Sequence, residues 1–192
     1  MENNTPNATG KSIFDLSDAE KLLAALPIAK DSVILDLGCG AGAFTLAMAP
    51  LCPHGVIYAF DLWEEGIDRL SQAAADANFI NIIPSVINIS FSIPLNSSSV
   101  DLCLITTVLH DLIPEGTADK ALREVQRVLK PDGLLAVIEF EKRSGQPSPP
   151  LNSRISPVEL DELLRQCGFI PARESVIDLG EHASLAFYQP TE

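Results

Sequence analysis

The chain has 192 residues, 46% apolar and 20% charged, which fits one domain and excludes wholesale disorder, a collagen-like chain and a disulfide-dense scaffold. Thirteen Lys and Arg against 26 Asp and Glu leave a formal charge of −13 with no basic run. A phosphate backbone or an anionic membrane surface is therefore a poor partner, and the acidity reads as the solubilising charge of a cytoplasmic protein.

The opening MENNTPNATG is polar, without a basic residue or an apolar stretch, so it lacks the pattern of a secretory leader; residues 1–12 are expected to be flexible. Ser17 and Glu20 have the spacing of a capping box opening a helix over DAEKLLAAL, which Pro27 closes. DSVILDLG is a short apolar run ending in glycine, the pattern of a buried strand. The turn GCGAGA then leads into the apolar helix AFTLAMA, which Pro50 and Pro53 bring to an end. VIYAFD reads as a second strand, 63–77 as an Ala-rich helix and 82–87 as a third strand.

After a polar loop at Asn96 to Ser99, VDLCLIT is a fourth strand. TADKALREVQRVLK is an amphipathic helix with Asp119 and Arg123 spaced as an i, i+4 ion pair. Pro131, Asp132 and Gly133 predict a turn into a fifth strand, LLAVIEF. Residues 142–156 are Ser/Pro-rich and aperiodic, a lid loop by this reading. A helix over 157–167 and strands near 172–177 and 184–188 follow.

Strands alternating with helices, the strands nearly continuously apolar, predict a single α/β domain over 1–192. Its sheet is doubly wound, seven-stranded and mostly parallel, with helices on both faces. The last two strands have only a turn around Gly180 between them, so they pair as an antiparallel C-terminal hairpin. No apolar run approaches the roughly 20 residues that span a bilayer. The four cysteines (Cys39, Cys52, Cys103, Cys167) and three histidines (His54, His110, His182) lie far apart, so no metal site is expected.

In open parallel sheets ligands bind beyond the carboxyl ends of the strands, where strand order reverses. The turn Gly38-Cys39-Gly40-Ala41-Gly42-Ala43 occupies that place, and Asp61 ends the second strand 23 residues after Gly38. A carboxylate there accepts hydrogen bonds from ribose hydroxyls. Gly38-x-Gly40-x-x-Ala43 also satisfies the dinucleotide fingerprint, which keeps a nicotinamide-dependent oxidoreductase open. Against it, Asp36 stands two residues before the first glycine. A carboxylate there repels a pyrophosphate and suits a ligand bearing an ammonium and a sulfonium.

These segments carry a resemblance. VILDLGCGAGAFTLAMA resembles motif I of the class I S-adenosylmethionine-dependent methyltransferases, and VIYAFDLWEEGIDRL resembles their second motif. IPLNSSSVDLCLITTVLHDL resembles the fourth-strand region and REVQRVLKPDGLLAVIEFEKR the helix, turn and fifth strand. PPLNSRISPVELDELLRQCGF is similar to a small-molecule subgroup related to the quinone-biosynthesis methyltransferases. The resemblance implies S-adenosylmethionine as cofactor and in-line transfer of its methyl group to a small molecule. By position, Asp36 would face the methionine part of the cofactor, directly or through water, and the backbone of Gly38, Cys39 and Gly40 would line that part. Asp61 would hold the ribose hydroxyls, Leu62 would pack on the adenine, and Thr106 would touch the cofactor near its sulfur.

Many relatives carry Asp in the loop after the third strand, where it accepts from the adenine amino group. Here that loop is VINISFSIPL, and Asn88, or else Ser90, stands in as a neutral acceptor, weaker by roughly 1 kcal/mol. This loop keeps open a cofactor-binding protein without catalysis that acts through a partner. For the acceptor, His110 in VLHDL is either a general base or a helix-start residue that packs. Asp111 either orients it or favours the helix start. Arg154 either meets an acidic group on the acceptor or anchors the lid, and Glu139 and Glu141 face the acceptor or solvent. The pocket must come from the N-terminal helix, the Ser/Pro loop and the region after His110, which fits a small acceptor.

Overall fold

Five-residue β1 (Val33–Leu37) is buried along almost its whole length, and a strand without a solvent face belongs in the middle of a covered sheet. The computed structural model, which describes residues 19–140, 142, 149–178 and 183–191, places it there. β1 lies parallel to both β2 (Val56–Asp61) and β4 (Val100–Thr106), with Ile34 beside Ile57 and Leu102. β3 (Ile82–Val86) adds to β2, and β5 (Leu129–Phe140) to β4, again in parallel. β6 (Phe169–Asp178) and β7 (Ala183–Pro190) pair antiparallel, and β7 inserts beside β5. The order is β3-β2-β1-β4-β5-β7-β6, the seven-stranded mixed sheet with a C-terminal hairpin that the sequence predicts.

The two-residue period of each strand divides the core into two layers. Ile34, Ile57, Leu102, Leu104 and Ile138 point to one face, where α1 (Ala19–Ala25), α2 (Ala43–Met48) and α3 (Glu64–Asp76) contribute Leu22, Phe44, Met48 and Leu70. Leu35, Cys103, Leu135 and Val137 point to the other, where α5 (Ala118–Val128) and α6 (Pro157–Gln166) supply Leu122, Val125, Leu160 and Leu164. Between β4 and α5 lies the single turn α4 (Leu109–Leu112). No helix among the described residues is long and apolar enough to cross a membrane.

Two local expectations change. Pro131, Asp132 and Gly133 do not form a turn ahead of β5 but an irregularity within it. Pairing runs from Val100 with Leu129 directly to Leu102 with Leu134. A side chain at Gly133 would come within 2.9 Å of the Val100 carbonyl oxygen, so glycine lets the chain pass there. Arg123 does not pair with Asp119; it reaches the Gln166 carbonyl on α6. The ion pair of α5 is instead Glu124 with Arg127, whose guanidinium also donates to the carbonyls of Ile93 and Leu95 at 2.8 and 2.9 Å. Hydrogen bonding from Arg127 holds the Glu124 carboxyl down at about 2.

A capping box the sequence reading missed opens α6: the Ser156 hydroxyl accepts from the Glu159 N–H, and the Glu159 carboxylate from the Ser156 N–H. The expectations for residues 1–12, the Ser17 cap, residues 143–148 of the lid loop, Glu141 and Gly180 fall outside the described residues.

Asn81 ties the layers together ahead of β3. Its side-chain amide is buried and donates to the carbonyls of Ala49 and Cys52 at 2.9 and 3.0 Å. Asn81→Ala is expected to orphan both carbonyls and lower stability by about 1–3 kcal/mol. Urea unfolding checks this: the midpoint falls with an unchanged slope.

Candidate functional site

The carboxyl ends of β1, β2, β4 and β5 open onto one edge of the sheet. At β1 the chain leaves through Gly38, Gly40 and Gly42, with φ of +76°, +56° and +80°. At Gly38 a Cβ would lie 2.3 Å from the Val108 side chain, so positive φ and close approach both require glycine there. At Gly40 nothing stands within 4 Å of that position: the backbone borders open space, the geometry of a cradle. The N–H groups of Gly38 and Cys39 both donate to the Phe60 carbonyl, at 2.7 and 3.2 Å.

Asp61 governs this turn. One carboxylate oxygen accepts from the Gly40 N–H at 2.7 Å and the other from the Trp63 N–H at 2.8 Å. A single side chain thus fixes both the glycine turn and the start of α3. Gly66 on α3 completes the contact, for a Cβ there would come within 2.8 Å of the Gly40 carbonyl oxygen and 2.4 Å of the Trp63 ring. The sequence reading passed over Gly66, although a glycine inside a helical run signals a close approach.

Asp36 lies beneath the turn, 2% exposed, and accepts a hydrogen bond from the Thr45 hydroxyl on α2. Burial pushes its carboxyl up to about 7, the charge of Asp61 adds to this, and the Thr45 hydrogen bond opposes it. Thr45 was also missed; its signal is a lone hydroxyl in an otherwise apolar helix. Burial, aided by the charges of Asp36 and Asp61, raises the Cys39 thiol far above its usual range, so Cys39 has no reactive thiolate.

Leu62, next to Asp61, is 44% exposed. Ile87 donates its N–H to the Asp61 carbonyl, bringing the loop after β3 to the end of β2. Asn88 in that loop is exposed, and its side-chain oxygen accepts from the Ser90 N–H at 3.0 Å. Its acceptor is therefore shared with its own Asx turn.

At the end of β4 the Thr106 hydroxyl is buried without a hydrogen-bond partner among the described residues. Thr107 follows with φ of +54°, a rare state for a β-branched residue and a form of strain that clusters at functional sites. It leads to Val108, which packs on Gly38, and then to His110.

His110 and Glu139 form a buried pair. Glu139, near the end of β5, spans the start of α4: one oxygen accepts from the Leu109 N–H and the other meets His110 Nδ1, both at 2.9 Å. Asp111 is exposed, with its carboxylate 3.7 Å from Nε2. Burial alone would lower the imidazole pKa, but the hydrogen bond and charge of Glu139, with that of Asp111, outweigh it and hold it above its ordinary value. The sequence placed Glu139 against the acceptor or solvent; the fold turns it inward to the histidine.

Arg154 is 3% exposed, its Nε donating to the Pro149 carbonyl at 2.9 Å and its guanidinium 6.0 Å from the Phe140 ring. Among the described residues no group of three or more His, Cys, Asp or Glu is placed to share a metal ion.

An open glycine cradle, two carboxylates at its back, an exposed leucine beside it and an unpartnered hydroxyl at its rim fit the parts of S-adenosylmethionine. Comparison with known proteins agrees. Residues 35–137 match the family described as methyltransferase domain. A demethylmenaquinone methyltransferase of Lactobacillus johnsonii is 29% identical over 133 residues, covering 69% of this chain and 52% of the relative. A ubiquinone/menaquinone biosynthesis C-methyltransferase of Campylobacter jejuni is 25% identical, over 62% of this chain and 49% of the relative. The chain spans about half the length of these curated relatives. The crystal structure of a SAM-dependent methyltransferase from Aquifex aeolicus superposes with a TM-score of 0.83 at 25% identity, covering 93% of this chain and 92% of that one. Sheet order, glycine turn and sequence likeness converge: the chain belongs to the methyltransferase domain family, the class I S-adenosylmethionine-dependent methyltransferases.

Proposed function

We propose that the protein transfers a methyl group from S-adenosylmethionine to a small-molecule acceptor at the carboxyl ends of β4 and β5, with His110 as general base. The observation that carries the reading is the buried His110–Glu139 pair on the same sheet edge as the glycine turn. S-adenosylmethionine supplies a methyl group already activated by a positive sulfur. The protein's own part is to align, to exclude water and, where the acceptor must lose a proton, to receive it.

The backbone of Gly38, Cys39 and Gly40 would line the methionine part. Asp36 would support that end from beneath the turn, through Thr45 or a water. Asp61 has lone pairs left after its two backbone bonds, and these would meet the ribose hydroxyls. Leu62 would cover the adenine and Asn88 would accept from its amino group. The Thr106 hydroxyl would find near the sulfur the partner it lacks among the described residues. Arg154, stitched to Pro149, supports lid anchoring over contact with the acceptor.

In the neutral imidazole, Nδ1–H donates to Glu139, which leaves the lone pair of Nε2 to take a proton from the acceptor. Glu139 then steadies the imidazolium. It acts as a positioning residue, because its two oxygens are held by Leu109 and His110.

Calorimetric titration with S-adenosylhomocysteine, and with NAD in parallel, tests the cofactor. Binding of the first alone is expected; binding of NAD alone would overturn the reading. Turnover of labelled methyl donor in an acceptor screen then separates an enzyme from a binding protein. Asp61→Ala is expected to weaken S-adenosylhomocysteine about ten- to a hundredfold, the loss of charge-assisted hydrogen bonds. An unchanged Kd would sink the ribose assignment.

The imidazole titrates above its ordinary value, and only its deprotonated form is a base, so turnover should rise with pH through that raised pKa. Glu139→Gln keeps an acceptor oxygen and removes the charge. It is expected to move the His110 proton-NMR titration, and the acid limb of turnover, to lower pH. A titration that stays in place would show that Glu139 does not control the histidine.

A further inference from the structure

Beside the histidine pair, between β7 and α6, lies a cavity of about 70 Å3 lined by Glu139, Ile155, Leu160, Asp161, Ser184 and Tyr188, among others. Its floor is one face of the sheet. Glu139 pairs with Ser184 across β5 and β7, and Ala186 and Tyr188 follow on that face of β7 at the strand period. Its roof is α6 and Ile155. Such a volume holds roughly two water-sized groups, too little for a ring and enough for a short polar arm.

The lining is largely apolar, through Ile155, Pro157, Leu160 and Ala186, and its polar members are mainly hydrogen-bond acceptors. Glu139 and Asp161 are carboxylates, and Asp161 Oδ1 already receives the Tyr188 hydroxyl proton at 2.6 Å. The Ser184 hydroxyl has no hydrogen-bond partner among the described residues, its backbone being part of the β5–β7 ladder. Among the described residues no Lys, Arg or His lines the cavity. Arg165, a turn further along α6, is exposed and outside the lining. An N–H or O–H entering here meets oxygens with lone pairs to spare. A carboxylate or phosphate would lose its water beside two like charges, with no cation among the described lining residues to balance it.

The geometry points to this cavity as the seat of a short hydrogen-bond-donating arm of the methyl acceptor, a hydroxyl or an amine, and as a filter against anionic acceptors. The inference rests on the methyltransferase reading above. Glu139 joins the two, because the carboxylate that walls the cavity also holds His110.

The test uses the full chain, titrated first with S-adenosylhomocysteine by calorimetry. With that ligand bound, benzylamine, benzyl alcohol and benzoate are compared by ligand-observed NMR, since all three carry a short polar arm on the same ring. The amine and alcohol are expected to bind and benzoate to bind at least about tenfold more weakly, the scale of a like-charge contact. Asp161→Asn keeps an acceptor for Tyr188 while removing a charge, and is expected to narrow that gap. Ser184→Val, which fills the cavity, is expected to abolish binding of the amine while calorimetric binding of S-adenosylhomocysteine persists. Equal binding of benzoate, no binding of any probe, or an amine indifferent to Ser184→Val overturns the cavity assignment with the cofactor reading intact. Failure of S-adenosylhomocysteine itself to bind overturns the underlying reading, and this one with it.

Discussion

One carboxylate at the end of β2 holds the ligand edge together. Asp61 receives the N–H of Gly40 from the turn after β1 and the N–H of Trp63 at the start of α3. Neither amide has a partner within its own element, because a tight turn and a helix start both leave N–H groups without intrahelical acceptors. The side chain satisfies both, and in doing so it draws α3 against the turn closely enough that position 66 tolerates no Cβ. The turn is thus held by Asp61 and Gly66, while nothing stands within 4 Å of the place a side chain at Gly40 would take.

Charge is distributed along the same edge in two different ways. Asp36 is buried against Thr45, and its carboxyl rises to about 7, so burial and ionisation compete there at neutral pH. That places a carboxyl raised by burial under the part of the site proposed to receive a cation. Glu139 is as deeply buried but has a partner that can carry positive charge. Its bond to His110 raises the histidine instead of leaving an isolated anion. The first carboxylate is an electrostatic reserve, the second a lever on one imidazole.

Strain at Thr107 links the two. The positive φ of this β-branched residue turns the chain sharply off β4. The turn sets Val108 on Gly38 and starts α4 where Glu139 can cap Leu109 and hold His110. The cost of an unfavourable backbone state is offset by the contacts on either side of it.

Periodicity, turn residues and the motif D-L-G-C-G-A-G in the sequence determine the parallel α/β sheet, the hairpin at its end, the glycine turn and the acids at positions 36 and 61, because these depend on local pattern and short spacing. Only the tertiary structure decides which residues meet across long separations. Glu139 and His110 lie 29 residues apart, on different elements, and nothing local in EF or VLHDL says that they pair. Thr45 and Gly66 look like ordinary helix residues until the fold sets them against Asp36 and the Gly40 carbonyl. Arg123 and Arg127 show the same limit. Local spacing offered Asp119 as a partner, but α6 drew Arg123 to the Gln166 carbonyl, and the 93–95 loop with Glu124 fixed Arg127. Sequence determines what each element is; the packing of elements decides which side chains stand close enough to do chemistry.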